Sequence, residues 1–142
     1  MYNHKLMIKN LMEKYSFSNK DKEYLNHIYQ KKAPLMIIEN FALKNIIKTV
    51  LKGRYEKLER SDRYIKEYKH NIECLGFAKQ AEHRKLLGQT SKEESAKVSL
   101  AIRLNLENLA KEQESKAQIK EEIHELERYI KILENRAEKV YC

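Results

Sequence analysis

Residues 119–133, IKEEIHELERYIKIL, set Ile119, Ile123, Leu126, Ile130 and Leu133 alternately four and three residues apart. That alternation is one apolar stripe on a helix, the spacing with which two helices bury a shared seam. The stripe continues downstream through Ala137 and Val140, and upstream in register through Leu109, Ile102 and Val98. Between these it meets Asn105, Glu112 and Lys116, so the seam carries polar interruptions.

Working back toward the N-terminus, one convincing break follows Pro34, at Gly88-Gln89-Thr90-Ser91. Gly88 suits the left-handed position just past a helix end. Thr90 with Glu93 and Ser91 with Glu94 read as capping boxes that open the next helix. The turn is therefore placed at 88–91, a long helix at 92–141, and a second long helix at 34–87. The 34–87 helix opens with a wide apolar arc: Leu35, Met36, Ile38, Ala42, Leu43, Ile46, Ile47, Val50 and Leu51. Such an arc calls for more than one neighbour. Beyond it Leu51, Leu58, Ile65 and Ile72 stand seven apart, with Tyr68 and Leu75 between core turns. Gly53 and Gly76 lack capping partners and read as interior helix residues, each costing about 1 kcal/mol relative to Ala.

Two short helices precede these. Asn3 to Tyr15 sets Met7 or Ile8, Leu11 and Tyr15 on one face. Ser16-Phe17-Ser18 breaks it, and Ser18 with Asp21 resembles a capping box. The second short helix turns Leu25, Ile28 and Tyr29 inward and ends near Lys32, because Ala33 precedes proline. Pro34 suits the first turn of the helix that follows. The expectation is an all-α fold: a long antiparallel two-helix coiled-coil hairpin with two short N-terminal helices (1–33) packed at its base, in a single domain over 1–142. Each long helix would span roughly 75–80 Å.

The polar interruptions test that arrangement. With the turn centred near residue 89, Lys116 faces Asp62, and Glu112 faces Lys66 near Arg63. Opposite charges then meet where both stripes fail, which a parallel self-association would not achieve.

Charge is uneven along the chain. The formal total is +8, with +4 in residues 1–33, +5 in 34–90 and −1 in 91–142. An acidic partner is therefore expected at the first ninety residues. Met1 to Asn10 is polar, with apolar residues only at Leu6, Met7 and Ile8, so no secretory leader is expected there. Leu35–Leu51 carries Glu39, Asn40, Lys44, Asn45 and Lys48, which argues against a membrane span. The two cysteines, Cys74 and Cys142, make neither a disulfide framework nor a metal pattern, and a cytoplasmic location is the expectation.

The sharpest chemical candidate is a pair of Glu-x-x-His motifs, Glu67 with His70 and Glu121 with His124. Di-iron bundles use two such motifs projecting inward. Here the seam passes through Ile65, Tyr68 and Ile72 and through Ile119, Ile123 and Leu126, which leaves both motifs on outer positions. His4, His27 and His83 have no matching ligand cluster, neither cysteine has a His in a recognisable nucleophile context, and no phosphate-binding loop is present. The reading is non-enzymatic, with no cofactor, no metal and no small-molecule substrate.

The end of the hairpin remote from the short helices is rich in apolar residues: Phe77, Leu86 and Leu87 on one helix, Leu100 and Leu104 on the other. Two helices alone cannot bury that set, so these five are the candidate surface for a protein partner or for a second copy. A basic run, Lys44, Lys48, Lys52, Arg54, Lys57, Arg60, Arg63, Lys66 and Lys69, is interleaved with Tyr55, Tyr64 and Tyr68 and is a candidate polyanion contact. Its charges scatter around the helix rather than forming one stripe. The leading expectation is a self-associating helical scaffold or adaptor, with a small basic DNA- or RNA-binding regulator as the alternative. In outline, a basic hairpin of two long helices also resembles the stalk-type components of flagellar and type III export machinery. That likeness is architectural, the two N-terminal helices depart from it, and it carries no residue across.

Overall fold

A computed structural model describes the backbone of residues 4–85 and 92–141, and the side chains of 4–79 and 95–135. Among the described residues there are four helices and no strand: α1 (His4–Lys14), α2 (Asn19–Tyr29), α3 (Ile37–Lys85) and α4 (Lys92–Tyr141). The long helices α3 and α4 pack against each other as a helical hairpin, accompanied by the two short N-terminal helices. The expected turn at 88–91 and its capping boxes lie outside the described residues. No described helix is long and apolar enough to cross a membrane.

The chain divides into two compact units, residues 1–55 with 121–142, and residues 56–120. In the first unit α1 and α2 cover the beginning of α3 and the later part of α4. Ile8, Leu11, Leu25, Ile28, Leu43, Ile47, Leu126 and Leu133 are fully buried there, with Tyr15 and Tyr129 at the edge of the same core. Each fully buried Leu or Ile contributes about 1.5–3 kcal/mol of transfer free energy, and together they hold two helices too short to persist alone. At the start of α2 the Ser18 hydroxyl accepts the Asp21 N–H at 3.2 Å.

Helix α2 stops at Tyr29 rather than near Lys32, and α3 starts at Ile37 rather than at Pro34. Pro34 lies in the connection, and Met36 takes the capping position, its carbonyl accepting the Asn40 N–H at 2.9 Å. Met36 cannot cap with its side chain. Instead, the Glu39 carboxylate reaches back and accepts the Met36 N–H at 2.9 Å, the carboxylate half of a capping box. Glu39 is buried and also pairs with Lys31 at 2.5 Å, which ties the end of α2 to the start of α3. Burial pushes its carboxyl up, but Lys31 and the Met36 N–H outweigh this and hold it below the usual glutamate range.

The expected apolar arc is narrower than its residues suggest. Leu35, Leu43 and Ile47 are buried, whereas Met36 and Ile38 are exposed, Ile38 at 73%. Leu43 and Ile47 are one turn apart and meet the core, while Ile38 sits on the opposite side of the first turn. Tyr29, expected inward, is likewise exposed.

The second unit is a seam between α3 and α4 alone. Ser61, Ile65 and Ile119 are buried, and Leu58, Tyr68, Ile72, Leu75, Val98, Ile102 and Leu109 are half-buried. Lys116 Nζ meets Asp62 Oδ1 at 2.5 Å, as the antiparallel register requires. The companion contact between Glu112 and Lys66 is not among the ion pairs of the described residues. Asn105 satisfies both ends of its amide: Nδ2 donates to the Ala101 carbonyl at 2.8 Å, and Oδ1 accepts from Asn71 Nδ2 at 3.4 Å.

Candidate interaction surfaces

The seam takes one face of each long helix, and the heptad then dictates what lies outside. On α4, Val98, Ile102 and Asn105 hold the inner positions, which turns Leu100 and Leu104, four residues apart, to the outer face. They are 46% and 48% exposed, and Leu106 on the flank is also exposed. On α3, Ile72 and Leu75 face the seam and Phe77 stands outside at 63% exposure. Phe77, Leu100 and Leu104 therefore do not pack on one another across the hairpin. They present large apolar side chains to solvent from the outer sides of both helices. Leu86 and Leu87, from the same predicted set, lie outside the described residues.

A second apolar group, not foreseen from sequence, lies at the start of α3, where Met36 at the cap and Ile38 and Phe41 in the helix are exposed and Lys44 Nζ lies 5.6 Å from the Phe41 ring centre. The signal that could have found it is the run Ile37-Ile38 beside Phe41, which is too apolar all round for one buried stripe.

The basic candidates divide by environment. Lys44 pairs with Glu134 at 3.3 Å, and Arg54 pairs with Glu122 at 2.9 Å while its guanidinium lies 5.1 Å from the Tyr15 ring centre. Both are drawn into the first unit's own charge network. Lys48 and Lys52 in that unit are exposed, as are Lys57, Arg60, Arg63, Lys66 and Lys69 in the second. Tyr55 donates its hydroxyl to Glu127, which anchors it intramolecularly. Tyr64 is exposed, and Tyr68 is half-buried in the seam.

Around Arg54 the first unit gathers Tyr15, Glu122, Glu125 and Lys14, with Lys14 Nζ 2.7 Å from Glu125 Oε2. The buried Tyr15 hydroxyl has no hydrogen-bond partner among the described residues. Burial, reinforced by the Glu125 and Glu122 carboxylates, pushes its phenol up to about 12. Burial and the two nearby carboxylates outweigh the Arg54 guanidinium, which pulls the other way, and suit a structural tyrosine that stays protonated.

Glu67, His70, Glu121 and His124 are all exposed. Among the described residues no group of three His, Cys, Asp or Glu side chains is placed to hold a metal ion. One contact of the cysteines was not foreseen from sequence. Cys74 is exposed, and its Sγ lies 3.5 Å from His70 Nε2, one turn earlier on α3. Spacing of four without a flanking motif hides such a pair in a chain rich in polar residues.

No protein-family model matches the chain, and comparison with curated proteins and with solved structures finds no match.

Proposed function

We propose that this protein is a non-enzymatic helical scaffold or adaptor that works through protein–protein contacts and associates with itself. The observation that carries the reading is the outward placement of Phe77, Leu100 and Leu104 on a two-helix segment whose seam is already occupied. Full burial of such a side chain is worth about 1.5–3 kcal/mol, of which these half-exposed residues still forgo roughly half, and a second copy is the occupant that covers them. The exposed lysines and arginines of α3 would steer a negatively charged surface toward the same arm.

Light scattering in the presence of a chelator tests this. The wild type is expected to exceed the 17.0 kDa of one chain, and Phe77→Glu with Leu104→Glu to return it to one chain with helicity intact. A wild type that stays at one chain across the concentration range overturns the reading.

The alternative, a small basic regulator bound to DNA or RNA, draws on Lys57, Arg60, Arg63, Lys66 and Lys69, which all reach solvent. Binding to random duplex at two salt concentrations decides it, because phosphate contacts weaken steeply as salt rises.

A further inference from the structure

The outer face of α3 carries Glu67, His70, Cys74 and Phe77 at spacings of three, four and three residues, which makes one continuous stripe. Two of these are ligands that soft divalent metals prefer, and they are already in contact. Two ligand atoms on one tetrahedral zinc, with Zn–S about 2.3 Å and Zn–N about 2.0–2.1 Å, stand about 3.5 Å apart. The separation of Cys74 Sγ and His70 Nε2 is 3.5 Å. Both side chains project from consecutive turns of a single helix, so the backbone that holds them needs no rearrangement.

We propose that His70 and Cys74 form half of a zinc site that a second copy of this chain completes with its own His70 and Cys74. One chain supplies two donors there and no described third, whereas a closed structural zinc site takes four. Two thiolates and two neutral imidazoles leave the bound Zn2+ with no net charge. Metal binding releases the proton of each thiol, which leaves as H+ while a sulfur–zinc bond forms. Phe77, one turn further along the stripe and 63% exposed, supplies apolar contact that a twofold-related copy would bury beside the metal. The inference rests on the self-association reading for its second copy, but it names a different interaction, one that a chelator removes.

The test uses the full chain with Cys142→Ser, so that Cys74 is the remaining thiol, under a non-thiol reductant. Cobalt is titrated first as a spectroscopic substitute for zinc. Expected are a thiolate-to-cobalt charge-transfer band, the intense visible bands of a tetrahedral site, and saturation at one metal per two chains. Zinc should displace the cobalt and double the mass seen with chelator, or fix it at the dimer if the chain is already dimeric. Cys74→Ser and His70→Asn, both at exposed positions that leave helicity unchanged, should each abolish the band and the zinc effect. Three results overturn the proposal: no thiolate band, saturation at one metal per chain with no zinc-dependent assembly, or zinc-dependent assembly that survives Cys74→Ser. Phe77→Glu with Leu104→Glu in chelator reports on the apolar surface alone, so failure of that surface and failure of the metal site give different readouts.

Discussion

Lys116 reaches across the hairpin seam to Asp62, with Nζ and Oδ1 2.5 Å apart, at a level where both helices replace an apolar core residue with a polar one. Each side chain alone would weaken a coiled coil. Together they convert the weak level into a contact that only the antiparallel alignment provides. Hydrogen bonding to Lys116 holds the Asp62 carboxyl below the usual aspartate range. A carboxyl lowered on folding stabilises the fold fully above its unfolded pKa, and that contribution disappears as pH falls through the folded value. Asp62→Lys or Lys116→Asp alone should lower the unfolding midpoint, and the two together should restore most of the loss. Thermal melts of the four proteins at low and high salt check this, with the coupling shrinking as salt rises.

Glu39 makes a stronger dependence. It is buried, accepts the Met36 N–H and pairs with Lys31, so Glu39→Ala strands a backbone donor and a lysine together. A loss of about 1–3 kcal/mol is expected. Glu39→Gln keeps an oxygen for the Met36 N–H and should recover part of it. The Glu39 carboxyl is held low in the fold. Its contribution is therefore present above the ordinary glutamate pKa and lost on acidification below it. Urea melts across the acid range, wild type against Glu39→Gln, check the slope.

Tyr15 runs in the opposite sense. Its phenol is raised from 10.0 to about 12, so the stability linked to it is complete below pH 10 and falls as pH rises toward 12. Because the buried hydroxyl has no partner among the described residues, Tyr15→Phe should leave neutral-pH stability unchanged or slightly raised. Tyr15→Ala should cost about 3–5 kcal/mol by emptying the core. Alkaline unfolding curves of wild type and Tyr15→Phe separate the two effects, the wild type showing the steeper slope; Tyr24, Tyr55 and Lys14, also raised in the fold, leave a shallower one in the variant.

Gly53 and Gly76 stand inside α3 with open space where a Cβ would point, nothing lying within 4 Å of either position. Gly53→Ala and Gly76→Ala should each stabilise the protein by about 1 kcal/mol, close to additively at their distance along the helix. Chemical denaturation followed by circular dichroism measures both.

Much of this fold was readable because its physics is periodic. Ile65, Ile119, Ile123, Leu126, Ile130 and Leu133 announce a seam by spacing alone, and Ser18 three residues before Asp21 announces a helix start. Even the meeting of Lys116 with Asp62 followed from counting outward from the turn. The features that stayed hidden are those where spacing is degenerate. Proline at 34 suggested the first turn of α3, but a carboxylate at Glu39 was the group that capped it, three residues later than expected. Met36 and Ile38 are as apolar as Leu43, and only the direction in which the first turn emerges from the connection decides which of them meets the core. The outward tip residues were legible as an excess that two helices cannot cover. That Phe77 and Leu100 would sit on outer faces rather than meet across the seam required the register of both helices. The contact between His70 and Cys74 was the least visible, because a histidine and a cysteine four apart are commonplace in a helical chain until their atoms are placed.

The hydrogen bond between Asn71 and Asn105, buried in part and donated at 3.4 Å, has a consequence for how this chain can change length. Apolar residues in a seam are interchangeable and would let one helix ratchet past the other by a heptad. A matched pair of amides cannot ratchet, because each would be left against hydrocarbon. Lengthening between the Asn71–Asn105 and Asp62–Lys116 rungs therefore demands seven residues in α3 and seven in α4 at once, whereas seven placed in one helix alone would pull one rung apart. Lineages carrying this hairpin should differ in arm length by paired insertions, with the asparagines keeping step.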